Sequence, residues 1–241
     1  MKKRNIVISI VIMLIIAITL VGCEPEVNCG GGYFRAENAR RFKEKYEALN
    51  GSLNARGDER QTIYIPEDNP MIFATAAEIV ELVESGTGVI YFGFPECPWC
   101  RTAVPILIDA AAELGIETIF YLNMTLERDI RSIDAEGNIV VDREGTPEYQ
   151  RLQELLYDIL MIYVLVDAEG NVVDTGERRI YVPFILVVRN GTVLASHFYT
   201  LPIQDETPFM IFDESQRQEL LEIYLELLRT LQSCEIATPG C

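Results

Sequence analysis

Apolar residues along this chain recur with two periods, about 3.6 and 2, and the changes of period mark its elements. Over 35–50, Phe42, Tyr46 and Leu49 fall at helical spacing among Arg, Lys and Glu, and Asn50-Gly51 is a stop signal. A short strand is predicted at 62–65, ended by Pro66. Thr75, with Glu78 three positions on, has the form of a capping box and predicts a helix through about Val83. Residues 89–94 form a β-rich apolar run, the pattern of a strand buried on both faces. A helix over 98–114 ends at Gly115, and 116–122 is another apolar strand.

Residues 124–181 are less regular. Asp134-Ala135-Glu136-Gly137-Asn138 is echoed by Asp167-Ala168-Glu169-Gly170-Asn171, each followed by a short β-branched run, so each reads as a hairpin. The alternative, a calcium loop, fits poorly: Gly falls fourth rather than sixth, and the terminal Glu is missing. Between the two, 147–160 reads as a helix with Tyr149, Leu152, Leu155 and Leu156 on one face. Strands at 184–188 and 192–198 flank Asn190-Gly191, a dipeptide suited to a type I′ turn. A last helix starts at 213 or 215 and runs to about 231, with Leu220, Ile223, Tyr224, Leu227 and Leu228 as its buried stripe. The order β-α-β-α-β, an insert, then β-β-α implies an α/β sandwich with a mixed central sheet.

The N-terminus reads as an address. Lys2, Lys3 and Arg4 precede an uncharged, mostly apolar run over 6–21, shorter than the roughly 20 apolar residues that a spanning helix requires. It ends in Leu20-Val21-Gly22-Cys23, which resembles the lipobox of bacterial lipoproteins. That resemblance implies cleavage before Cys23 and lipidation of its thiol, with the mature chain at the extracytoplasmic face of the cell membrane. An uncleaved anchor with an incidental Cys23 is the plainer alternative and places the remainder on the same side. The division is then a signal peptide at 1–22, a tether at 23–34, a domain at 35–233 with an insert at about 125–180, and a tail at 234–241.

Charge narrows the partners. The chain has 241 residues, with 37 acidic and 20 basic side chains and a formal net charge of -17. A surface this acidic argues against nucleic-acid binding, which needs clustered Lys and Arg. It also argues against electrostatic attraction to anionic lipid, so the lipid on Cys23 would be the membrane attachment.

The chemistry concentrates at Cys97-Pro98-Trp99-Cys100, which follows the buried strand and opens a helix. Cysteines three apart at a helix start can close a small disulfide ring. The first lies where unpaired backbone N–H groups and the macrodipole favour a thiolate, the attacking species. The second, more interior, resolves a mixed disulfide. Pro98 suits the first helical turn. Arg101, four residues after Cys97, is expected to lower that thiol's pKa, and adjacent Glu96 to oppose it. The plainer readings are a structural disulfide and half of a zinc site; zinc wants four N or S ligands, and the chain has one His and no second Cys-x-x-Cys. Trp99 either covers the disulfide or offers an apolar face to substrate. His197, in a predicted strand, reads as structural. Cys29, Cys234 and Cys241 are an odd remainder whose pairing spacing does not fix: Cys234 with Cys241, or Cys29 as a staple, leaving one thiol over.

Phe92-Gly93-Phe94-Pro95-Glu96-Cys97-Pro98-Trp99-Cys100-Arg101 resembles the active-site segment of the thioredoxin superfamily, and Tyr181-Val182-Pro183-Phe184 with the hairpin after it resembles that family's cis-proline region. The likeness covers roughly 60–125 and 180–233. Its layout is also similar, more weakly, to thioredoxin-like bacteriocin-transport accessory proteins. The resemblance implies a thioredoxin-like sandwich and a thiol–disulfide oxidoreductase that acts on cysteine-containing secreted or membrane proteins. In it, Cys97 and Cys100 are catalytic, while Val182, Pro183 and Trp99 meet the substrate. No metal or organic cofactor is implied. A non-catalytic accessory lipoprotein that binds an exporter or secreted peptide is the rival. Two departures stand out. Tyr91 occupies the position of the family's buried Asp, and the span from Cys100 to Pro183 is longer than usual.

Overall fold

The computed structural model describes residues 31–201 and 211–232. The expectations on Cys23, Cys29, Cys234, Cys241, the signal peptide and the tail all fall outside that range. Contacts divide the chain into two units, residues 1–34 and 35–241.

A five-stranded sheet forms the centre, in the order β1-β3-β2-β8-β9: β1 (Met71–Phe73), β2 (Gly88–Gly93), β3 (Ile119–Asn123), β8 (Phe184–Arg189) and β9 (Thr192–Phe198). β1 and β2 run parallel to β3, and β8 runs antiparallel to both β2 and β9. The sheet is therefore mixed and the class α/β. Among the described residues five helices accompany it: α1 (Gly31–Glu47), α2 (Ala76–Ser85), α3 (Pro98–Glu113), α4 (Pro147–Leu155) and α5 (Glu214–Gln232). Every residue of β2 after Gly88, and of β8 before Arg189, is buried, as expected where protein covers both faces of a sheet. Phe92, Phe184 and Phe198 stack across three adjacent strands, with ring centroids 5.3 and 4.0 Å apart. α3 packs against α5, and α5 against β8 and β9. α1 lays Phe42 and Tyr46 onto Tyr121 of β3.

Local signals explain most boundaries. Thr75 Oγ1 accepts from the Glu78 N–H, and the Glu78 carboxylate accepts from the Thr75 N–H, a complete capping box at the start of α2. Asn190 and Gly191 both have positive φ, 50° and 72°, as a type I′ turn requires. A Cβ on Gly191 would lie 2.2 Å from the Glu84 carbonyl oxygen, so the turn depends on glycine for clearance as well as for φ.

The expected strand at 62–65 does not form. Ile63 and Ile65 are buried as a strand's alternate residues would be, but their backbone groups bond to side chains. Asn50 both donates to and accepts from Ile63, Glu47 accepts from the Ile65 N–H, and Lys43 donates to the Ile65 carbonyl. The first strand is instead β1, three residues long and too short to show a period. α1 begins at Gly31, before the expected 35, so the last residues assigned to the tether belong to a helix.

Between β3 and β8 the chain forms two small antiparallel ribbons, β4 (Ile130–Ile133) with β5 (Ile139–Arg143), and β6 (Met161–Val166) with β7 (Val172–Arg179). α4 stops at Leu155 and gives way to a short 3₁₀ turn, Tyr157–Ile159, where a helix to 160 was expected. The echoed segments are the two ribbon turns. Asp134 accepts from the N–H groups of Glu136 and Asn138 and from the Asn138 amide. Asp167 accepts from the backbone and the amide of Asn171. These carboxylates organise their own turns, which accounts for the repeat without a metal ion.

Candidate functional site

β2 ends at Gly93, and a tight turn delivers the chain to Cys97, whose N–H bonds to the Phe94 carbonyl at 3.2 Å. Cys97 is the N-cap of α3, with extended φ and ψ, and Pro98 fills the first helical position. The Cys97 sulfur takes the place a capping oxygen usually fills: it accepts from the Cys100 N–H at 3.3 Å. One unpaired donor of the helix start is thus aimed at the sulfur. Cys97 and Cys100 approach to 3.0 Å, and both are thiols. On the other side lies the loop before β8, where the Val182–Pro183 peptide is cis and the Val182 carbonyl faces the Cys97 sulfur at 3.8 Å. Chain segments 85 residues apart thus meet at one atom.

The two thiols are electrostatically unequal. Burial by itself would raise Cys97, but hydrogen bonds from the Cys100 side chain and N–H, the Arg128 charge and the Trp99 N–H outweigh it, and the pKa is lowered. Cys100 is held well above the ordinary thiol range by burial first, then by its hydrogen bond and charge interaction with Cys97. The pair is therefore set for one thiolate at Cys97 and a protonated thiol at Cys100.

Placement of the other expected residues is mixed. Trp99 is half-buried and packs against the core edge, while its backbone N–H acts on Cys97. Val182 is buried beside Cys97. Glu96 is exposed, and its charge acts on Arg101 and Tyr121. Arg101, expected to tune Cys97, has its guanidinium bonded to other partners. Its guanidinium is fully buried and donates to the carbonyls of Gln61 (2.7 Å), Tyr46 (2.8 Å) and Pro95 and to the Asn50 amide oxygen. The helix turns it toward α1 and the 61–65 segment, where backbone carbonyls lack strand partners. Cys97 is enclosed, at 4% exposure, because its sulfur turns inward to the Cys100 N–H and the Val182 carbonyl. His197 has a structural setting, its ring nitrogen bonded to the Thr200 carbonyl at 2.9 Å and its ring in T-shaped contact with Tyr224.

Arg128 is the cation that sequence reasoning missed. It follows β3, stacks over Phe94 at 4.7 Å, and is itself lowered by burial, then by Arg179. No spacing rule links it to Cys97; only the fold does. Replacing Arg128 with Met should cut the alkylation rate of Cys97 at neutral pH severalfold, about threefold or more, by shrinking the thiolate fraction. An unchanged pH profile of alkylation would remove Arg128 from the site.

Among the described residues no group of three or more His, Cys, Asp or Glu is placed to hold a metal ion, and no helix is long and apolar enough to cross a membrane. Neither a family model nor a curated protein matches the chain.

Proposed function

We propose that this protein is a lipid-anchored, extracytoplasmic thiol–disulfide oxidoreductase of thioredoxin-like architecture. The observation that carries the reading is the pair itself: a lowered Cys97 thiol at a helix start, touching a raised Cys100 thiol, with the Val182–Pro183 loop against the first sulfur. The strand order β1-β3-β2-β8-β9 with that loop leading into β8 supports the thioredoxin-like reading. Cys97 thiolate attacks one sulfur of a substrate disulfide and forms a mixed disulfide; Cys100 then attacks Cys97 and frees the substrate. The same steps run backward when the pair starts oxidised. The standard potential relative to the compartment decides the net direction. Val182 and Pro183 offer backbone for the substrate segment, Trp99 an apolar rim, and cysteine-containing secreted or membrane proteins are the partners. The anchor rests on the Leu20-Val21-Gly22-Cys23 sequence.

One observation favours the rival, an accessory lipoprotein whose cysteines are structural: Cys97 is only 4% exposed. Two measurements separate the readings. Titrated in defined redox buffers, a catalytic pair exchanges as a two-electron couple, whereas a structural one stays oxidised well below about -300 mV. Cys100→Ala should accumulate mixed disulfides through Cys97 in secreting cells, and Cys97→Ala should abolish them. If Cys100→Ala expresses well and traps nothing, the redox reading fails. Radiolabelled lipid should follow Cys23 and disappear in Cys23→Ala.

A further inference from the structure

The Cys97 sulfur is covered by chain that belongs to no strand. Residues 180–183 run from the end of β7 to the start of β8, outside both. Val182 lies in this stretch, is buried, and sets its carbonyl oxygen 3.8 Å from the Cys97 sulfur. Backbone without strand pairing finds its partners elsewhere, and those partners set its position. One such contact lies on each side of Val182. The Tyr199 N–H donates to the Pro183 carbonyl at 2.8 Å. The Val164 N–H donates to the Tyr181 hydroxyl at 3.1 Å.

The two contacts attach the loop to different parts of the fold. Tyr199 directly follows β9 of the central sheet, and its φ of 62° is a left-handed conformation uncommon for a bulky side chain. Tyr181 reaches the inserted ribbon instead. Val164 lies in β6, at the point where the register with β7 shifts, between Ile162 and Val164. The Tyr181 ring makes a T-shaped contact with Tyr163 at 6.4 Å and a tilted one with Tyr199 at 5.8 Å. Tyr163 is fixed in turn. The Arg179 guanidinium lies 3.9 Å over its ring, and its carbonyl accepts from the Thr175 hydroxyl at 2.8 Å. The Tyr181 phenol thus joins a firmly held part of the ribbon to the loop over the sulfur.

We infer that Tyr181 is a positioning residue: its hydroxyl, held by the Val164 N–H, fastens the Val182 loop over Cys97 and ties access to that sulfur to the inserted ribbon. The inference rests on the redox role proposed above, in which the Cys97 sulfur must meet a second sulfur. At 4% exposure it meets none until the Val182 carbonyl withdraws. That withdrawal is a local opening, and its cost includes the bond that holds the loop in place. A polypeptide that shifts β6 acts on the same bond, so the insert takes part in admitting substrate.

The test reads access without substrate. In full-length reduced protein, iodoacetamide alkylation at Cys97, located by peptide mass spectrometry, is followed against pH to its plateau, where the thiol is fully ionised. Tyr181→Phe removes only the hydroxyl. It should raise that plateau about three- to tenfold, the range that losing one neutral hydrogen bond allows. The midpoint should not rise, because the Val182 carbonyl accepts a hydrogen bond only from the protonated thiol. The gain should also be insensitive to dilute urea, since a local opening exposes little surface. A gain that grows steeply with urea would mark global unfolding and reduce Tyr181 to a structural contact. Val164→Pro, which removes the donor, should give the same gain, and the double variant no more than either alone. An unchanged plateau in Tyr181→Phe, or gains that add in the double variant, would overturn the inference; if Val164→Pro does not fold, Tyr181→Phe decides alone. These outcomes are distinct from a failure of the redox reading, which the redox-buffer titration reports.

Discussion

Arg101→Met is expected to lower the free energy of unfolding by about 3 kcal/mol and to leave the Cys97 titration where it stands. The guanidinium is fully buried and donates to carbonyls of Gln61, Tyr46 and Pro95 and to Asn50. Hydrogen bonds from a charged donor contribute roughly 1.5–3 kcal/mol each, and removing the donor strands its buried acceptors. Against this, methionine no longer keeps a charge out of water, which returns several kcal/mol of about the same order. The net is a loss, because the 61–65 segment has no strand neighbour and depends on side chains for its backbone bonds. Urea unfolding reads the first half of the prediction, and iodoacetamide alkylation of Cys97 against pH reads the second. A midpoint shift equivalent to under about 1 kcal/mol would mean that water replaces the guanidinium. A slower Cys97 at neutral pH would restore Arg101 as a tuning group at the expense of Arg128.

The same residue shows where sequence reading succeeds and where it stops. Short-range rules worked. Thr75 with Glu78, Asn190 with Gly191, and Cys97 ahead of Pro98 each specify local geometry within four residues, and each is present in the structure. So is the repeated Asp-Ala-Glu-Gly-Asn turn, because Asp134 and Asp167 bond within their own loops. Failures arise where a partner is distant in sequence. Residues 62–65 alternate like a strand, yet whether a neighbouring strand or the side chains of α1 satisfy that backbone is decided by tertiary packing. The i, i+4 spacing of Cys97 and Arg101 implied contact, but a long side chain can swing to either flank, and the unpaired carbonyls near α1 drew it away. Arg128 reaches the site from the segment after β3, whose end lies beside Gly93, and no spacing rule in the sequence points to it. The mixed α/β class and the order of its elements were legible because buried strands and capped helices alternate clearly. The degree of enclosure of Cys97 was not, since it depends on how closely the loop before β8 approaches.

Gly93→Ala should cost about 2–4 kcal/mol of stability. The added methyl would lie 2.3 Å from the Tyr91 hydroxyl oxygen, 2.5 Å from its Cζ and 3.0 Å from Cε1. A flexible surface side chain would move aside. This one cannot, because Tyr91 is fully buried, stacks on Tyr121 at 5.6 Å and bonds to Tyr46 at 3.2 Å. Overpacking of a tight core costs about 1–3 kcal/mol, and a displaced hydroxyl forfeits about 0.5–1.5 kcal/mol of hydrogen bonding. A double-mutant cycle assigns the strain. In a Tyr91→Leu background, where the clashing ring atoms are gone, Gly93→Ala should cost nothing or stabilise by up to about 1 kcal/mol, as a glycine-to-alanine change inside a strand ordinarily does. An equal cost in both backgrounds would place the strain in the β2 backbone rather than in the ring. If the cycle closes as expected, Gly93 is kept free of a side chain so that the buried Tyr91 ring can lie over it and meet the Tyr46 hydroxyl.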